Sequence, residues 1–120
     1  MGPSVDVLIE GHDRFSVGAA IEIGNWLHDY EVTWFETPVL PNDIPALIEV
    51  AKRVPVRVIA GERMRELHQF AEFLAANVTD VINPEPMGVG GIFRSIQVAA
   101  LARAHHAEIA LHNAESPLKT

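Results

Sequence analysis

The sequence has no cysteine, which excludes disulfides, thiolate metal sites and a cysteine nucleophile. Bases are scarce: nine Lys and Arg stand against sixteen Asp and Glu, for a net charge of −7. That balance disfavours a nucleic-acid partner, because such binding rests on Lys and Arg neutralising phosphates. No apolar run approaches the roughly 20 residues a membrane helix needs, so no membrane partner is expected. The opening MGPSVD lacks the basic and apolar regions of a signal peptide, and a cytoplasmic location is the expectation. Low-complexity tracts and interdomain linkers are absent as well. What remains is a chain of 120 residues, 48% apolar and 21% charged, suited to one domain or a piece of a larger one.

Short β-branched and aromatic runs alternate with segments of helical period. Val5 to Glu10, Val32 to Glu36, Val56 to Ala60, Asp80 to Pro84 and Glu108 to His112 read as strands. Between them, apolar stripes recur at helical spacing: Val17, Ala20, Ile21, Gly24 and Leu27; Ile44, Leu47, Ile48 and Ala51; Leu67, Phe70, Ala71 and Leu74; Ile92, Ile96, Ala99 and Ala102. Asn42 or Asp43 is the expected N-cap of the second helix, with Pro45 tolerated in its first turn. Strand and helix in alternation with short loops predict right-handed βαβ crossovers and a parallel sheet. Five βα units suit an open doubly wound sheet, or part of a (β/α)₈ barrel, which normally takes about 200 residues or more.

Polar residues mark the expected C-terminal strand ends. Glu10, Glu36 and Glu62 close the first three strands, the fourth runs out to Glu85, and the fifth ends at His112. The βα period itself sets these intervals, so one polar group per unit points at the same rim, where α/β enzymes place their chemistry. Three carboxylates converging there repel unless they share a cation, and oxygen-only ligands suit a hard divalent ion such as Mg²⁺. His12 lies two residues past Glu10, so strand alternation puts it on the Glu10 side. His112 is the better proton acceptor, since an imidazole works as a base near neutral pH. Any one strand-end acid is as readily explained by a solvated loop, and it is the register that argues for a site. His28, His68, His105 and His106 read as surface or helix-end residues. Gly88, Gly90 and Gly91 lack phosphate-loop spacing and a lysine, so they read as a tight strand-to-helix turn. Trp26 and Trp34 read as packing residues.

Five segments in order also resemble a known family. WFETP (Trp34 to Pro38), IAGER (Ile59 to Arg63), INPEPMGVGGI (Ile82 to Ile92) and IALHN (Ile109 to Asn113) are similar to motifs of the mandelate racemase/muconate lactonising branch of the enolase superfamily. LIEGHDRF (Leu8 to Phe15) resembles the third-strand segment of galactonate dehydratase-like acid-sugar dehydratases. The resemblance implies five consecutive βα units of a partial (β/α)₈ TIM barrel, strands three to seven. Residues 1–120 would then be a fragment of the C-terminal barrel domain, without the N-terminal capping domain. It also implies Mg²⁺ on Glu10, Glu36 and Glu62, His112 as general base, Glu85 as the acid that orients it, and His12 as the acid that protonates a departing hydroxyl. The implied reaction is β-elimination of water from a sugar acid through an enediolate, giving a 2-keto-3-deoxy acid. A homo-oligomer is implied for the full-length form.

The sequence departs from the family pattern at Glu10 and Glu85, where most members have Asp, and at Thr37, which replaces the second acid of the strand-four pair. A racemase or epimerase of the same superfamily is the alternative within the class; His12 favours dehydration, because epimerisation needs no leaving-group acid. A truncated, inactive half-barrel is a further alternative. A receiver-type signalling domain fits poorly, because its third strand would end in Glu62 rather than an Asp acceptor and the only late lysine is Lys119.

Overall fold

The computed structural model describes residues 5–113. The chain divides into two compact units, Met1–Ile59 and Ala60–Thr120.

The first unit carries β1 (Leu8–Glu10), α1 (Val17–Asp29), β2 (Trp34–Glu36), α2 (Ile44–Arg53) and β3 (Arg57–Ile59). Its strands form a parallel sheet in the order β1-β2-β3. Leu8 pairs with Trp34, Ile9 with Phe35 and Glu10 with Glu36, and the next ladder sets Phe35 against Val58. Both helices start at side-chain caps: Ser16 accepts from the N–H of Ala19, and Asp43 from that of Ala46 at 3.0 Å. Such caps satisfy backbone donors that the first turn leaves unpaired. Phe35, Leu47, Val50 and Val58 are fully or almost fully buried, each contributing about 1.5–3 kcal/mol by leaving water.

Gly24 of α1 packs against Val54, the residue that ends α2. A Cβ at Gly24 would lie 2.6 Å from Val54 Cγ1, whereas one at Gly18 on the same helix meets nothing within 4 Å. Gly18→Ala is therefore expected to stabilise the chain by about 0.5–1 kcal/mol through helix propensity alone. Gly24→Ala is expected to lower stability instead, since overpacking costs about 1–3 kcal/mol. Urea melts of the two variants side by side check the opposite signs.

The second unit carries α3 (Leu67–Ala75), β4 (Val81–Ile82), α4 (Pro86–Val89), α5 (Ile92–Ala104) and β5 (Glu108–Ile109). β4 and β5 pair in parallel, and α3 packs against α5. Met64, Phe70, Phe73, Leu74, Ile82 and Val98 form its core. Beyond the short strands, the pairing continues on one side. The N–H groups of Glu108, Ala110 and His112 donate to the carbonyls of Asp80, Ile82 and Pro84 at 2.8, 3.0 and 3.1 Å. Pro84 has no N–H to return, so the regular ladder stops while the alignment runs on to His112.

The parallel βα order matches the sequence reading, with four differences among the described residues. The strands are shorter, and they form a three-stranded and a two-stranded ladder rather than one five-stranded ladder. The segment read as a simple turn contains the one-turn helix α4. Gly90 and Gly91 close it with φ of 104° and 88°, values that glycine tolerates and L side chains rarely adopt. The expected stripe of α5 is largely on the surface: Ile92 and Ile96 are exposed, and Val98 and Ala102 are the buried pair. Trp26 is 56% exposed rather than packed. No described helix is long and apolar enough to cross a membrane.

Candidate proton-transfer and metal-ligand residues

In the first unit the sequence-predicted residues are Glu10, His12 and Glu36. Glu10 and Glu36 are the last residues of neighbouring parallel strands and stand opposite one another in register. The chain then turns so that the segment after β1 lies along the segment after β2. Gly11 N–H donates to Glu36 O at 2.8 Å and Asp13 N–H to Thr37 O at 2.8 Å. Gly11 admits this approach because a Cβ there would fall 2.7 Å from Pro38 Cα. Thr37 is fully buried with φ of 37°, an unusual conformation for a β-branched residue. It follows Glu36 directly and is held by its N–H to Ile59 O at 2.9 Å.

His12 is not placed by strand alternation. β1 ends at Glu10, and His12 and Asp13 both take left-handed backbone values, φ 48° and 55°. The His12 contact with Glu10 runs from the backbone N–H to Glu10 Oε1. The reason is that period-2 alternation lapses once the ladder stops. His12 is exposed.

In the second unit the structure brings together Glu62, Glu85 and His112. Glu62 lies three residues beyond β3, in a turn, Glu85 lies three beyond β4, as the N-cap of α4, and His112 lies three beyond β5. His112 Nε2 is 2.8 Å from Glu62 Oε2, and its Nδ1 is 2.9 Å from Glu85 Oε2. Glu62 and Glu85 are buried and His112 is partly buried. Buried carboxylates are costly unless hydrogen-bonded, and both are. Arg63 Nε donates to Glu62 Oε1 at 3.1 Å, and Met87 N–H to Glu85 Oε1 at 3.2 Å. With a carboxylate within hydrogen-bond distance of each ring nitrogen, the orientation of the imidazole is fixed from both sides. His28, His68 and His106 are exposed, and His105 caps the end of α5, as the sequence reading expects.

As donors, Glu10, Glu36 and Glu62 offer only carboxylate oxygens, the chemistry a hard divalent cation prefers. Two acids in register on adjacent strands repel when both are ionised, and a shared cation removes that cost. The residue types fit Mg²⁺.

The family-model description "Enolase C-terminal domain-like" matches residues 1–120. The D-gluconate dehydratase of Thermoproteus tenax is 34% identical over 119 residues, which cover 99% of this chain and 24% of that protein. The D-gluconate/D-galactonate dehydratase of Picrophilus torridus is 28% identical, covering the whole chain and 31% of the relative. Among solved structures, a mandelate racemase/muconate lactonizing protein from Paracoccus denitrificans complexed with magnesium is 34% identical, with a TM-score of 0.86 over 93% of this chain and 30% of that one. An enolase-superfamily member from Salmonella Typhimurium is 26% identical and superposes with a TM-score of 0.93 over 98% of this chain and 30% of its own. The chain thus spans about a quarter to a third of these relatives. With the whole chain matched and the βα order shared, it belongs to the enolase C-terminal domain-like family, as part of a (β/α)₈ barrel.

Proposed function

We propose that residues 1–120 are a fragment of the C-terminal barrel domain of a Mg²⁺-dependent acid-sugar dehydratase, a cytoplasmic enzyme that is a homo-oligomer in its full-length form. The observation that carries this reading is the imidazole of His112 held between Glu62 and Glu85. That arrangement suits a base that abstracts the proton next to a carboxylate. The dehydratase relatives support the choice of a sugar acid as substrate.

In this reading Glu10, Glu36 and Glu62 would hold Mg²⁺, which when bound offsets the negative charge that develops on the substrate carboxylate. Glu85 fixes His112 through Nδ1, which leaves Nε2 as the nitrogen that takes the α-proton. Glu62 occupies Nε2 in the structure; were Glu62 to hold the metal, that nitrogen would be open to substrate. His12, exposed at the end of β1, protonates the β-hydroxyl as it departs. The carbon–oxygen bond breaks as the enediolate collapses, water leaves, and the enol tautomerises to a 2-keto-3-deoxy acid.

The test is a sugar-acid screen with Mg²⁺ on the full-length protein, followed by separation of the two half-reactions. His12→Gln is expected to lower dehydration by about 10²–10⁴-fold, the usual worth of a positioned acid, while solvent exchange of the α-proton continues. Deuterium incorporation by NMR measures the exchange. Equal loss of both removes His12 from the acid role.

A further inference from the structure

One arginine that the proposed chemistry does not use lies between the two turns whose carboxylates grip His112. Arg65 Nη1 donates to the backbone carbonyl of Glu62 at 2.8 Å and to that of Met64 at 3.2 Å. Gly88 lies against the same guanidinium: a Cβ there would fall 2.6 Å from Nη1 and 2.9 Å from Cζ. Gly88 is part of α4, the helical turn that Glu85 caps. Arg65 is anchored in turn from α3, because Gln69 Oε1 accepts its backbone N–H at 2.8 Å and that of Glu66 at 3.0 Å. The guanidinium thus bridges the gap between the Glu62 turn, to which it is bonded, and the backbone of α4 at Gly88. A planar fork with fixed donor directions suits that task better than a flexible ammonium.

We propose that Arg65 is a positioning residue that sets the separation between Glu62 and Glu85 at which one imidazole reaches both. The inference deepens the reading of His112 as the base and rests on it for its catalytic consequence. Its geometric part stands separately: His112 meets both carboxylates at under 3 Å, so a small shift of either turn breaks one contact. Gly88 has a matching role, since a side chain there would displace the guanidinium.

The test uses the full-length protein labelled with ¹⁵N-histidine, with H112N identifying the His112 signals. The readout is the Nδ1 proton facing Glu85, which is not a proposed metal ligand, recorded with EDTA and with Mg²⁺. R65M removes the donors and keeps an apolar stem, and G88A pushes on the guanidinium from the opposite side. Both are expected to shift or broaden the Nδ1 resonance. Both are also expected to lower kcat by about 10- to 100-fold with little change in KM, the scale of a small misplacement of a reacting group. R65K is expected to recover part of the loss. R53M, which breaks only a surface pair with Glu49 on α2, is expected to leave resonance and kcat alone. Wild-type resonances in both R65M and G88A overturn the proposal, as does a fall in activity that only tracks lost folded protein. If R65M fails to fold, G88A decides. A moved resonance in a protein whose wild type dehydrates no sugar acid keeps Arg65 as the spacer and removes the dehydratase reading instead.

Discussion

His112→Asn is expected to abolish exchange of the substrate proton next to the carboxylate, lowering the rate by at least about 10²–10⁴-fold, the contribution of a positioned general base. The amide is shorter than the imidazole and cannot bond Glu62 and Glu85 at once, as His112 does at 2.8 and 2.9 Å. It also has no nitrogen that accepts a proton near neutral pH. Leaving a buried carboxylate short of a partner costs about 1–3 kcal/mol, so a lower melting temperature accompanies the loss. Folding and Mg²⁺ binding are expected to survive. Monitoring α-deuterium uptake in the full-length protein checks the claim, and exchange at the wild-type rate removes His112 as the base.

Glu62→Gln is expected to affect both the metal and the base. In the structure Glu62 accepts from Arg63 through Oε1 and faces His112 through Oε2. An amide is neutral and offers one acceptor oxygen in place of two, so the charged contacts with Arg63 and His112 are not both reproduced. Removing one member of a buried charged group costs about 3–5 kcal/mol; Arg63 is partly exposed, so the lower end of that range is expected. Outer-sphere changes alone weaken metal sites about 10–100-fold, so if Glu62 is a direct ligand, as proposed, its loss is expected to weaken Mg²⁺ binding by about 100-fold or more. Titration calorimetry with Mg²⁺ measures it. Glu49→Gln on the exposed face of α2, where Glu49 pairs only with Arg53 at 3.1 Å, is the matched control and is expected to change stability by less than about 0.5 kcal/mol. Unchanged Mg²⁺ affinity in Glu62→Gln removes Glu62 from the ligand set.

Much of the site was legible because period and chemistry coincide. A cap at Asn42 or Asp43 and the register of Glu10 with Glu36 follow from residues that local pattern already marks, whereas Glu85 as the partner of His112 was implied only by the family resemblance. Arg65 was not legible. It carries no motif, and its role depends on Gly88, 23 positions away in sequence, having no side chain beside the guanidinium. Ile92, Ile96 and Ala99 recur at helical spacing on α5 as read, yet all three are exposed. Periodicity identifies an apolar face but not whether anything in the described residues covers it.

The sequence by itself determined the alternation of strands and helices, the parallel order and the polar residue in each βα unit. These depend on side-chain period and on short loops, which are local properties. Only the tertiary structure decided where each strand stops, that His12 meets Glu10 through its backbone, and that His112 is gripped from both sides. Those outcomes depend on which backbone groups find partners across chain-distant segments. The Pro84 carbonyl takes the His112 N–H, and no local pattern of residues encodes that distance.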